Sequence, residues 1–345
     1  MDIVKESSPV NDLPFLSAEL PAVGGRLKDR PEHFRVEEIP LYEASGDGPH
    51  LYLTLRRQGL TTRQVVDELS RRYGQPAAAI GYAGLKDKEA VTTQTFSLTL
   101  PLGEEEARAK SQGAPWELLT VGRHRNKLKV GHLLGNRFAL ILSGVEGGLA
   151  EARAIAGHLK ATGVPNYFGE QRFGRDGDNM AAGLALLKSG RKARSFRDKF
   201  LLSSLQSFIY NHYLAGRINR GLFQTILTGD ICKKYATGGL FTSEDGAVET
   251  ERLRAGELSH TGPIFGSKMK AAEGLAAEME TQVLAELDLK PEEVARTGVG
   301  DRRLSRLLIP DLNIEEAEEG LLFTFALPKG AYATSVMREF IRPGF

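Results

Sequence analysis

Apolar and polar residues alternate with period two in several short stretches early in the chain, and this pattern predicts strands. Phe34 and Val36 alternate with charges over His33–Glu38, and Leu51–Leu55 repeats the alternation. An apolar run, Ala78–Ala83, leads into a charged turn at Lys86-Asp87-Lys88. An alternating run leads out of it, with Val91, Thr93 and Thr95 on one side and Thr92, Gln94 and Phe96 on the other. Further strands are expected at Lys127–Val130 and Arg137–Leu142, with Gly131 and Gly135 marking the turn between them. Between the strands, Thr61-Thr62-Arg63-Gln64 has capping-box spacing, and Val65, Val66, Leu69 and Tyr73 fall on one helical face. Ala150–Leu159 reads as a second helix. Before all of these, residues up to about Gly24 carry Pro9, Pro14 and Pro21 and read as a loosely held arm.

The pattern changes after Gly163-Val164-Pro165. Helical periodicity dominates from there to about Leu308, over Asn179–Leu187, Leu201–Ala215 and Lys270–Leu287. In the second of these Leu202, Leu205, Ile209 and Tyr213 make an apolar stripe that Gly216 should end. Alternation returns at Leu321–Leu327, and a helix follows over Ala331–Arg342. A lone terminal strand must pair with an earlier sheet. The expected layout is therefore a discontinuous domain of residues 1–162 and 309–345, interrupted by an inserted domain of residues 163–308.

Composition narrows the possible functions. With 345 residues, 41% hydrophobic and 26% charged, the chain can build two cores. No apolar run approaches bilayer length, and the first residues lack a signal-peptide pattern. The single cysteine, Cys232, excludes an internal disulfide, so a reducing, cytoplasmic setting is expected. The net charge of +1 conceals segregation: basic residues gather at Arg123–Lys129 and Arg191–Lys199, acidic ones at Glu104–Glu106 and Glu315–Glu319. A basic face against phosphates is compatible with near-neutrality overall.

Phosphate-loop, dinucleotide, zinc-protease and serine-hydrolase signatures are all missing, and the seven histidines show no close pair at ligand spacing. The chemistry expected is that of a carboxylate working without metal or cofactor. Asp87, ionised between two lysines on a strand-bounded loop, is the leading candidate. A charged hairpin tip would look the same in composition, so the wider chain has to decide.

Five segments do so. They are Lys28-Asp29-Arg30-Pro31-Glu32-His33-Phe34, Gly81–Thr92, Gly135-Asn136-Arg137-Phe138, Gly163–Gly174 and Leu327–Glu339. In this order they resemble the tRNA pseudouridine synthase D (TruD) family. The resemblance implies an α+β pseudouridine-synthase domain on a mixed, largely antiparallel sheet, interrupted by a family-specific α+β domain. It implies isomerisation of uridine to pseudouridine at position 13 of tRNA, with Asp87 as nucleophile or base. The resemblance further implies that Lys28 pairs with the catalytic carboxylate, that Phe34 and Phe138 wall the uridine pocket, and that Asn136 makes a polar contact there. The resemblance makes Tyr332 a further candidate for the uridine pocket, although related sequences commonly carry phenylalanine there. From the residues alone, Phe34 and Phe138 fit a core as well as a pocket wall, and Asn136 fits a Gly-Asn turn. Arg123, Arg125, Lys127 and Arg172 are candidates for phosphate contacts. The expected partner is tRNA, with no membrane and no metal, and the chain is expected to be a monomer. Rival readings are the same isomerisation on another RNA, a non-catalytic RNA-binding or RNA-folding module, and a glycosidase, which would need a second acid facing Asp87.

Overall fold

The computed structural model describes residues 10, 12–174 and 177–342. In chain order its strands are Arg26–Leu27 (β1), Phe34–Pro40 (β2), His50–Arg57 (β3), Gly81–Tyr82 (β4), Val91–Thr99 (β5), Trp116–His124 (β6), Leu133–Ser143 (β7) and Val164–Pro165 (β8). They continue with Ile231–Lys234 (β9), Leu240–Thr242 (β10), Leu258–Ile264 (β11), Asp301–Leu304 (β12), Arg306–Leu307 (β13), Asn313–Ala317 (β14) and Gly320–Pro328 (β15). The chain divides into two compact units, described separately below.

The first unit, Val23–Arg153 with Asp311–Gly330, is built on a nine-stranded sheet. Its main order is β14-β15-β7-β2-β5-β3-β6, with β1 added to β7 and β4 to β5. Every pairing is antiparallel except β2 with β5, which run parallel over Arg35–Glu37 and Val91–Thr93. The period-two pattern explains one face. Leu51, Leu53, Leu55, Phe96 and Leu98 are buried in one core with Val65, Val66, Leu69 and Tyr73 of the helix Thr62–Tyr73. Each such side chain contributes about 1.5–3 kcal/mol on burial. The helix starts where the capping box predicts: Thr61 accepts from the Gln64 N–H, and the Gln64 side chain accepts from the Thr61 N–H. The late strand β15 does rejoin this sheet, pairing with β7 from Leu321–Leu142 to Pro328–Gly135.

The second unit holds Ala154–Pro310, with the described residues up to Ala22 and those from Ala331 on. Its core is organised on a 24-residue helix, Phe196–Asn219, whose Leu202, Leu205, Ile209 and Tyr213 are buried. A four-stranded sheet, β10-β9-β11-β12, completes it, with the pair β13-β8.

Four sequence expectations need correction. Residues 127–130 form a loop, and the strand lies earlier, at β6. Gly135 sits inside β7 opposite Pro328, where a Cβ would lie 2.1 Å from the Leu327 carbonyl oxygen; close strand approach, not a turn, demands glycine there. Gly216 does not end its helix, which runs to Asn219 and stops before Gly221 at φ +69°. Residues 163–308, whose periodicity reads as mostly helical, contain the strands β9 to β12, in keeping with the α+β character that the family resemblance implied. The arm is anchored: buried Ser17 donates to Glu339, and Arg342 donates back to the Ser17 carbonyl. Its residues 1–9 and 11 lie outside the described residues.

Candidate active site

Asp87 lies on the loop between β4 and β5. The Lys28 ammonium donates to its Oδ2 at 2.5 Å, and the Glu89 N–H donates to Oδ1 at 3.1 Å. The Lys28 and Asp87 side chains are 20% and 25% exposed, so the pair is shielded but reachable. The Lys28 Nζ also stands 4.5 Å from the centre of the Phe34 ring. Phe34 meets Phe138 edge to face at 6.3 Å, and Phe325 packs behind Phe138 at 5.5 Å. Both Phe34 and Phe138 are buried. A carboxylate, its cation and two phenyl walls thus occupy one place, drawn from β2, β7 and two loops.

Lys28 takes φ +63°, the left-handed region, without being glycine. Its neighbours over-determine that conformation: Asp29 bonds Arg26 and Ser143, while Arg30 and His33 both reach Glu319. Backbone strain of this kind costs about 1–3 kcal/mol and collects where function needs it. On β7, Asn136 pairs in register with Glu38 of β2 and with Leu327 of β15. Its Oδ1 is buried with no hydrogen-bond partner among the described residues.

Beneath the loop lies a buried polar platform that sequence reasoning missed. Lys86 donates to Glu38 Oε1 at 2.7 Å, with the two side chains only 5% and 6% exposed. Glu38 also accepts from Gln94 Nε2 at 3.3 Å and from the Thr95 N–H at 3.1 Å. Gln94 in turn donates to the Gly84 carbonyl at 2.7 Å, and the Lys86 N–H donates to Thr62 Oγ1. Arg57 closes the network through Gln94 and Thr62; burial pushes its guanidinium down to about 10, against the pull of Glu38. A signal was available: Glu38 is a charge on the face that Phe34 and Val36 begin as apolar.

The other candidates stand elsewhere. Arg123 donates to the Leu100 and Leu102 carbonyls, Lys127 to the Ala78 carbonyl, and the exposed Arg125 pairs with Asp47 at 2.6 Å. In the second unit, Arg172 donates to Ser207 and Ser203 and lies over the Phe168 and Phe200 rings. Tyr332 belongs to that unit too, its ring 6.2 Å from Phe168. A cavity of about 420 Å³ in the first unit is lined by Glu37, Glu38, Tyr42, Tyr52, Thr54 and His132 among others, but not by Asp87. Among the described residues no group of three His, Cys, Asp or Glu is placed to hold a metal, and no helix is long and apolar enough to cross a membrane.

The family profile described as tRNA pseudouridine synthase D (TruD) matches residues 12–196 and 196–340. The chain belongs to the TruD family. A tRNA pseudouridine synthase D of Anaeromyxobacter sp. (strain Fw109-5) is 45% identical, with 97% of each chain covered. One of Thermus thermophilus is also 45% identical, over 95% of this chain and 92% of its own. A crystal structure assigned as a TruD protein from Methanosarcina mazei superposes with a TM-score of 0.77 at 25% identity, covering 97% of both chains. The TruD likeness therefore spans both units.

Proposed function

We propose that the protein isomerises uridine 13 of tRNA to pseudouridine, with Asp87 as the catalytic carboxylate and the sheet unit as the catalytic domain. The observation that carries this reading is the Lys28–Asp87 pair at 2.5 Å beside Phe34 and Phe138, in a chain of this family. In the reaction the N1–C1′ bond breaks and a C5–C1′ bond forms. C5 loses its proton and N1 gains one, so no oxidant or energy source is consumed. A carboxylate can attack C1′ or C6, or remove the C2′ proton; in each case it must be ionised, in place and close to the sugar or base. Lys28 holds one oxygen, and the Glu89 N–H holds the other. A flipped uracil stacked on phenyl rings gains about 1–3 kcal/mol, enough to keep the detached base until it rejoins. Asn136, whose Oδ1 has no partner among the described residues, is the candidate to accept from the uracil N3–H, a contact that would favour uracil over cytosine at the same edge.

The test uses tRNA transcripts carrying tritium at uridine C5. One equivalent of tritium should be released per tRNA, mapping to position 13, and replacement of uridine 13 by cytidine should abolish it. Asp87→Asn should release none at matched RNA occupancy. Release that survives the cytidine change would move the reaction to another site, and release by Asp87→Asn would remove the catalytic assignment.

A further inference from the structure

We propose that Glu38 is a positioning residue for Asp87, acting by holding Lys86 and so fixing the catalytic loop to the sheet. The inference rests on the reading of Asp87 above and concerns residues to which that reading gives no role.

The parallel pairing of β2 and β5 ends at Glu37–Thr93. Past that point the strands part, and the Thr95 N–H would be left without a partner from β2. Glu38 Oε2 accepts it at 3.1 Å, so a side chain continues the pairing that the backbone has abandoned. The other oxygen, Oε1, takes the Lys86 ammonium at 2.7 Å and Gln94 Nε2 at 3.3 Å. One carboxylate therefore joins three things: the β5 backbone, a β5 side chain and the loop.

The loop residues on the N-terminal side of Asp87 are fixed in the same way. The Gly84 carbonyl accepts from Gln94, the Lys86 N–H donates to Thr62 Oγ1, and Lys86 Nζ is held by Glu38. The residue preceding Asp87 is thus tied through both main chain and side chain. Leu85, between the two anchored residues, is 76% exposed and supplies no anchor of its own. In this proposal the arrangement acts through the loop backbone and not through contact with substrate. Its effect is to limit where the Asp87 backbone can sit, and displacement of about 1 Å is enough to cost roughly a hundredfold in rate.

An ion pair this buried also contributes to folding, so the test must separate the two roles. Breaking one side leaves a buried charge uncompensated, whereas removing both partners restores much of the stability. The variants are Lys86→Met, Glu38→Gln and the double Glu38→Gln/Lys86→Met, with Asp87→Asn alongside. Single-turnover pseudouridine formation is followed at saturating enzyme, where a smaller folded fraction is overcome by concentration but a slower step is not. All three variants of the pair should lose roughly ten- to a hundredfold in rate constant. Affinity for tRNA should stay within about twofold, because binding is spread over many contacts. The double variant should melt closer to wild type than Lys86→Met does, yet remain as slow. If the double variant recovers rate together with stability, or if Lys86→Met turns over at the wild-type rate while Asp87→Asn is inactive, the positioning role is wrong and the reading of Asp87 stands. If Asp87→Asn retains turnover, both fall.

Discussion

Lys28 combines two properties that substitution can separate: its ammonium holds Asp87, and its backbone sits at φ +63°. Lys28→Met removes the charge and keeps the strain, while Lys28→Gly removes both. A charge-assisted hydrogen bond contributes about 1.5–3 kcal/mol, and partial exposure puts this one toward the lower end. If the bond acts wholly in the transition state, a loss of about 2 kcal/mol is a fall of roughly thirtyfold in turnover. Stability should behave differently. Left-handed backbone costs a non-glycine residue about 1–2 kcal/mol, and glycine gives back about 0.5–1 kcal/mol through the freedom of its unfolded chain. Lys28→Gly should therefore be more stable than Lys28→Met by about 0.5–1 kcal/mol while equally slow. Urea unfolding followed by fluorescence of Trp116 reports this directly, since the chain's one tryptophan is buried in the same unit. Single-turnover assays give the rates. A Gly variant that is as fast as wild type, or a Met variant that is faster than the Gly variant, would refute the reasoning. In the Asp87→Asn background either Lys28 change should be silent in rate, since a residue acting through Asp87 has nothing left to orient.

Gly135→Ala should destabilise the sheet unit by about 2 kcal/mol or more and slow turnover, because the new methyl meets the Leu327 carbonyl next to Asn136; Trp116 fluorescence and single-turnover rates check both. His260, buried with Nε2 on the Phe223 carbonyl, is pushed down to about 3, first by burial and then by Arg217. Its depressed value means the unfolded chain binds the extra proton below about pH 6.5, so stability falls with pH from there toward 3, by about 2 kcal/mol between pH 7 and 5. Hydrogen exchange across Leu258–Ile264 should show this. Asp230, which Arg217 holds low against the upward push of burial, adds its own loss only below about pH 4. Arg125→Ala and Lys127→Ala together should lower the salt dependence of tRNA binding, by roughly one in the log–log slope for each phosphate these side chains neutralise. An unchanged slope removes them from the RNA footprint. Arg123→Ala should instead lower the urea midpoint read by Trp116, because its guanidinium holds the Leu100 and Leu102 carbonyls.

Much of the sheet unit was legible because one of its faces meets a helix and leaves a period-two record, as at Leu51–Leu53–Leu55. The strand β11 left none: Leu258 to Pro263 are buried on both faces and include glycine and proline. Short strands between helices then read as helix or loop. Lys127–Val130 failed for another reason, since its buried Leu128 packs from a loop. Asp87, Lys28, Phe34 and Phe138 were singled out as candidates through motifs, and the structure adds that they lie together. Glu38 and Gln94 belong to no local motif. Their importance comes from strands parting at one point, which is a property of the folded sheet. For Arg123, sequence reasoning saw only a basic block, whereas its guanidinium donates to the Leu100 and Leu102 carbonyls inside its own unit.

The pairing of β15 with β7 sets the order in which this molecule can be made. Phe323 lies opposite Leu140, and Phe325 opposite Phe138, so the strand bearing the inner phenyl wall waits for residues synthesised far later. At ribosomal speeds of about 5–20 residues per second, β7 is exposed for on the order of ten seconds or more with one edge unmatched. Contacts of such long range form slowly, and an open apolar edge in the meantime is a template for wrong partners. A nascent chain halted near residue 310 already has Asp87, Lys28 and both phenylalanines, yet it lacks Phe325 behind Phe138. The whole stretch between β7 and β15 must therefore be translated before Phe325 can pack on Phe138, so a contact of early residues waits for nearly the last.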